Sequence, residues 1–92
     1  MRQNYYSNRE IVSVSLDEIF IPERSIERIM RKDHAQIERL RLEYENDYGV
    51  FRVELRPRIG GGYIIQDGRH RVIAAKLAGV GFIEAVIVGD EA

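Results

Sequence analysis

Three consecutive glycines, Gly60, Gly61 and Gly62, separate two segments that both read as β-strands. Before them, Phe51, Val53 and Leu55 alternate with Arg52, Glu54 and Arg56, the period of a strand with one buried face and one wet face. Pro57 ends that strand or marks an edge. Residues 63–66 form the returning strand. Glycine accepts positive φ without steric penalty, so the triplet predicts a tight reversal and a β-hairpin. A glycine run can also cradle phosphate, but the flanking strands favour the hairpin. Asp67 and Gly68 then turn the chain into an apolar helix carrying Val72, Ile73, Leu77 and three alanines, closed by Gly79. A hairpin feeding directly into an apolar helix confines the chain to a sheet with helices packed on it.

The rest of the pattern agrees. Val12, Val14 and Leu16 alternate with Ser13 and Ser15, which predicts a first strand from Ile11. Asp17 is placed to cap a short helical turn carrying Ile19 and Phe20. Residues 23–32 put Ile26, Ile29 and Met30 on one helical face. Asp33 with Gln36 resembles a capping box, and a helix is expected over 34–46 with Ile37, Leu40 and Tyr44 inward. Its many charges read as a solvated face. Gly49 suits its C-cap. Residues 82–88 form an apolar strand expected in the centre of the sheet. The fold class is therefore α+β, a small mixed sheet with helices packed on it. Residues 1–10 are expected to be a flexible tail and 11–89 one domain.

With 92 residues there is room for a single domain with a modest core. The absence of cysteine excludes disulfides, thiolate nucleophiles and Cys-ligated zinc. His34 and His70 are far apart and no cluster has metal-ligand spacing; no serine sits in a nucleophile elbow. A formal net charge of −1 argues against binding duplex through bulk charge. Mean hydropathy is −0.31 and no apolar run reaches membrane-spanning length, so a cytoplasmic protein is expected, with no membrane partner. Arginine outnumbers lysine 12 to 2, a balance that suits bidentate contacts to anions. Tyr5 and Tyr6, beside Arg2 and Arg9, are compatible with base stacking or with a tail of no defined role.

Arg69, His70 and Arg71 stand where the helix begins, and there positive charge opposes the helix dipole. The first turn of a helix also presents backbone N–H groups without intrahelical partners. Gly68 permits close approach, and the three side chains add donors around the same point. The combination is a receptacle for phosphate or another anion. The alternative is that Arg69 and Arg71 pair with surface carboxylates while His70 packs.

The stretch GGGYIIQDGRHRVIAAKLAG, followed by an apolar strand, resembles the signature of the ParB/sulfiredoxin-like superfamily. YGVFRVELRP resembles the segment before that signature, and the first strand with LDEI resembles its opening strand, so the likeness spans residues 11–88. In partition ParB proteins the matching turn reads Gly-Glu-Arg-Arg-x-Arg-Ala and holds the triphosphate of CTP. Gly68 and Arg71 match it, whereas Arg69, His70 and Ile73 replace a glutamate and two arginines. The likeness does not extend to the helix-turn-helix of those proteins. In sulfiredoxins the turn reads Gly-Gly-Cys-His-Arg; His70 and Arg71 are retained for ATP phosphates, but Arg69 takes the place of the reactive cysteine. In the free serine kinase branch it reads Asp-Gly-His-His-Arg, matching Asp67, Gly68, His70 and Arg71. That branch uses an early glutamate as catalytic base. Glu23 is the positional match, with Glu18 and Glu27 as rivals, and a helix-start acid is its plain structural reading.

The resemblance implies a nucleoside triphosphate, CTP or ATP, held by Gly68, Arg69, His70 and Arg71, with Mg2+ bridging near Asp67. The leading expectation is a ParB-like domain that binds a nucleotide or phosphorylated ligand in a DNA-linked process such as plasmid partition or regulation. The alternatives are a small phosphotransferase or NTPase with Glu23 as base, and a DNA- or protein-binding module whose turn is structural. DNA and a second copy of the chain are the further partners it admits.

Overall fold

The computed structural model describes residues 11–45 and 52–89. Two of the motifs read above, the tail over 1–10 with Tyr5 and Tyr6 and the cap at Gly49, lie outside these residues, as does Phe51. The chain runs β1 (Ile11–Ser15), a 3₁₀ turn (Leu16–Glu18), β2 (Ile19–Phe20), α1 (Glu23–Lys32), α2 (His34–Glu45), β3 (Val53–Pro57), β4 (Tyr63–Asp67), α3 (Arg69–Leu77) and β5 (Phe82–Ile87). The five strands form one mixed sheet in the order β1-β5-β3-β4-β2. β1 and β5 are antiparallel, β5 and β3 parallel, β3 and β4 antiparallel, and β4 and β2 parallel. This is the α+β arrangement expected from the sequence.

β1 and β2 are joined by three residues yet occupy opposite edges of the sheet. Laid flat, five strands would set those edges about 19 Å apart, at roughly 4.8 Å per strand. Four Cα steps from Ser15 to Ile19 reach at most about 14 Å even when extended, and a 3₁₀ turn reaches less. The sheet must therefore curl until its edges approach. Leu16 N–H donates to the Gly81 carbonyl at 3.0 Å. Gly62 allows the hairpin to close against the same turn: a Cβ there would lie 2.7 Å from the Glu18 carbonyl oxygen, and its φ is +76°.

The hairpin is where the glycines place it, with Arg56 opposite Ile64 and Pro57, the last residue of β3, opposite Tyr63. Near Gly68 the register shifts, so that Glu54 faces Asp67 while Leu55 faces Ile65. A bulge of this kind redirects the strand end toward the following turn. The inward residues of the alternating strands make the main core, in which Val14, Val53, Leu55, Ile83 and Ala85 pack with Val72 and Ala75 of α3. A second cluster joins Ile37 and Leu40 of α2 to Ile73 and Ala74 of α3, with Ile26, Ile29 and Met30 of α1 packed against it. The inward faces expected for α1 and α2 are both present. Arg41 makes an ion-pair network with Glu38, at 2.7 Å, and with Glu45 on the solvent side of α2. The hydrogen bond from Arg41 holds the Glu38 carboxyl below its ordinary range.

Four local expectations are corrected. The cap of the 3₁₀ turn is Ser15, whose hydroxyl accepts from Asp17 N–H at 3.2 Å. Ile19 and Phe20 are strand, not helix, because pairing with β4 pulls them extended. β5 lies second in the sheet, between β1 and β3, and β3 holds the centre. Asp33, read as a side-chain cap, supplies its backbone carbonyl to Ile37 N–H at 3.0 Å, while its carboxylate turns to α3.

Candidate functional site

α3 begins at a turn that accepts no side chain but hydrogen. Gly68 has φ +107°, and a Cβ there would lie 2.5 Å from Val53 Cγ1. The backbone at the start of α3 thus packs directly on the Val53 side chain of the central strand. Val72 N–H closes the helix onto the Gly68 carbonyl at 3.0 Å, and no side chain caps the first turn. That end carries the positive pole of the helix dipole.

The turn opens into a cavity of about 430 Å³. All five residues from Asp67 to Arg71 line it, so the structure brings together the whole of the expected anion site. Leu40 and Ile65 form its apolar backing. Gln36 and Arg39 of α2 also line it. Sequence reading missed these two residues because the charges of α2 read as a solvated face. The available signal was their helical spacing beside Ile37 and Leu40, which puts them on the flank of the face that meets α3.

The basic side chains of the turn have different roles. His70 Nε2 lies 2.9 Å from Asp33 Oδ2, tying the start of α3 to the junction of α1 and α2. Arg71 donates from Nη1 to the Arg52 carbonyl at 3.1 Å, fixing the approach to β3. Arg69 and Arg39 are exposed and make no ion pair among the described residues. Asp67 is exposed at the end of β4, and no group of three metal-ligating side chains occurs among the described residues. A Mg2+ ion commonly takes one or two carboxylates and completes its shell with water and phosphate oxygens, so a lone Asp67 is a sufficient protein contribution. Glu23 heads α1, is exposed, and does not line the cavity; neither do Glu18 and Glu27.

Tyr44 packs against both core clusters, and burial pushes its phenol up to about 12, opposed by the charge of Arg71. An unfolded tyrosine ionises near pH 10. The native state therefore keeps a proton that the unfolded state releases, and stability present below about pH 10 falls as pH rises toward 12. We expect phenolate absorbance titrations to show one late tyrosine that disappears in Tyr44→Phe, and the variant to lose less stability over that interval. An unchanged late step would contradict the assignment.

No family model and no curated protein matches the sequence. Solved structures do match. Sulfiredoxin from Arabidopsis thaliana superposes with a TM-score of 0.68 at 22% identity, covering 88% of this chain and 88% of that one. The chain has the ParB/sulfiredoxin-like fold. The chromosome-partitioning protein ParB from Caulobacter crescentus, C-terminally truncated and complexed with CTP-gamma-S, also superposes with a TM-score of 0.68, at 18% identity. That match covers 86% of this chain and 44% of the ParB chain. At these identities the likeness is one of fold. No helix among the described residues is long and apolar enough to cross a membrane.

Proposed function

We propose that this ParB-like domain binds a nucleotide, with the phosphates at the start of α3. The observation that carries the reading is the coincidence, in one cavity, of a helix N-terminus with no side-chain cap and the cations Arg39 and Arg69. Each of these favours an anion, and a fork of guanidinium donors suits phosphate oxygens. The cavity volume of about 430 Å³ is that of a small-molecule site. The CTP analogue in the structurally similar ParB supports a nucleoside triphosphate. Asp67 would help to hold a Mg2+ ion, which would supply neutralising charge for the phosphates. We propose binding and not turnover, because Glu23 stands off the cavity.

Calorimetry with CTP, ATP and ADP, with and without Mg2+, tests this. Binding of at least one is expected. Loss of a charge-assisted hydrogen bond is worth about 1.5–3 kcal/mol, so Arg69→Ala should weaken it by roughly tenfold or more. Arg71→Ala should do likewise, with a melting curve run beside it because that side chain also holds the Arg52 carbonyl. No binding to the wild type, or wild-type affinity in both variants, would sink the proposal.

A further inference from the structure

Cations among the described residues differ in what they meet. Arg41 and Arg52 pair with carboxylates, Arg71 with a carbonyl, and Arg58 lies over the ring of Phe20 at 4.4 Å. Arg24, Arg28, Arg31, Lys32, Arg39, Arg69 and Lys76 are exposed and have no ion pair among the described residues. Four of these seven are on α1, a helix of ten residues with no buried side chain.

α1 segregates its charges. At about 100° per residue, Arg24, Arg28, Arg31 and Lys32 occupy one arc of roughly 100°, and Glu23 and Glu27 adjoin that arc on its Arg31 side. Ile26, Ile29 and Met30 fill the sector opposite the basic arc, against α2 and α3. Ser25 borders the basic arc, and it lines a groove of about 260 Å³ whose other walls include Phe20, Ile64, Ile65 and Arg69. Ile65 and Arg69 also line the cavity at the start of α3. The basic flank of α1, the groove and the anion cavity therefore form one continuous surface.

Arg24, Arg28 and Lys32 follow one another at intervals of four residues, so their row advances about 6 Å per step along the helix. A single phosphate cluster has no use for such a row; a chain of phosphates does. Phe20 is 46% exposed and carries Arg58 on its ring, which makes an aromatic and guanidinium platform at the mouth of the groove. Cations tracking a backbone beside a stacking ring are the two components of single-strand binding. The net charge of −1 leaves room for a local basic row, whose Arg28 and Lys32 lie about 100° and about 140° round the helix from Glu27.

We propose that this surface binds a single strand of nucleic acid, with the backbone along Arg24, Arg28 and Lys32, one phosphate at Arg69, and a base against Phe20. The inference rests on the nucleotide reading only for the phosphate at the α3 turn. The test is fluorescence anisotropy with a labelled short oligothymidylate across a salt series, beside calorimetry with CTP. The oligomer is expected to bind at least tenfold more tightly than CTP. The exposed triple variant Arg24→Gln/Arg28→Gln/Lys32→Gln should lose at least tenfold, and its slope of log affinity against log salt should shrink by about 2, at roughly 0.7 per phosphate contact. Its CTP affinity should be unchanged. Phe20→Ala should cost about tenfold for the oligomer. An oligomer bound no more tightly than CTP, a triple variant like wild type, or a duplex bound as tightly as the single strand would each overturn the proposal. So would inorganic polyphosphate binding equally well together with no effect of Phe20→Ala. Oligomer binding lost in the triple variant of a protein that binds no mononucleotide sustains this surface and overturns the nucleotide reading instead.

Discussion

Gly68→Ala should be among the most damaging single substitutions in the domain. Two independent costs combine. At φ +107° an L side chain is strained, at about 1–3 kcal/mol. The new Cβ would also lie 2.5 Å from Val53 Cγ1 and 2.9 Å from Val53 Cβ, neither of them the tip of a flexible chain. Val53 is 1% exposed on the central strand, so relief requires β3 and α3 to move apart, and overpacking of this kind typically costs about 1–3 kcal/mol more. A loss of about 3 kcal/mol is expected, which for a domain of this size lowers Tm by roughly 12–24 °C. Gly61→Ala is the control. Its φ is +114°, but a Cβ there meets nothing within 4 Å, so only the conformational cost remains. Thermal and urea unfolding of both variants decide the matter. Equal, small losses would mean that the start of α3 has slack against β3, and the close approach that shapes the anion cavity would lose its support.

That contrast also marks what the sequence could and could not disclose. The hairpin was legible because Gly60, Gly61 and Gly62 sit between alternating segments, and such signals are local. α3 was legible for the same reason, its apolar run being bounded by Gly68 and Gly79. β2 was not. Ile19 and Phe20 carry no strand signal of their own, and they are extended because β4 lies alongside them. The place of β5 between β1 and β3 depends on pairings between residues more than thirty positions apart in one case and about seventy in the other, beyond any local period. The cavity divides similarly. Its floor from Asp67 to Arg71 is one contiguous motif, but Arg39 and Gln36 reach it only because α2 docks on α3. Asp33 looked like a cap because its neighbours in sequence are a helix start; its partner His70 stands 37 residues away.

Ile37→Ala tests that docking directly, and here stability and binding should fall together. Ile37 is fully buried and joins α2 to Ile73 and Ala74 of α3. Truncating a buried isoleucine costs its transfer free energy plus that of the cavity left behind, about 2–5 kcal/mol. An expected loss of about 3 kcal/mol moves the urea midpoint by roughly 2 M. The consequence for the site follows from geometry, since Gln36 and Arg39 flank Ile37 on the same helix and line the cavity. A helix that seats less firmly holds Arg39 less firmly, so nucleotide affinity should drop severalfold under conditions where the variant remains folded. Ile83→Ala separates this from general loosening. Ile83 is 4% exposed on β5, pairs with Val14 of β1, and lines no part of the cavity. It should cost a comparable amount of stability and leave affinity unchanged. If both variants weaken binding equally, the wall formed by α2 contributes nothing of its own; if only Ile37→Ala does, the anion site belongs to two helices and not to the α3 turn alone.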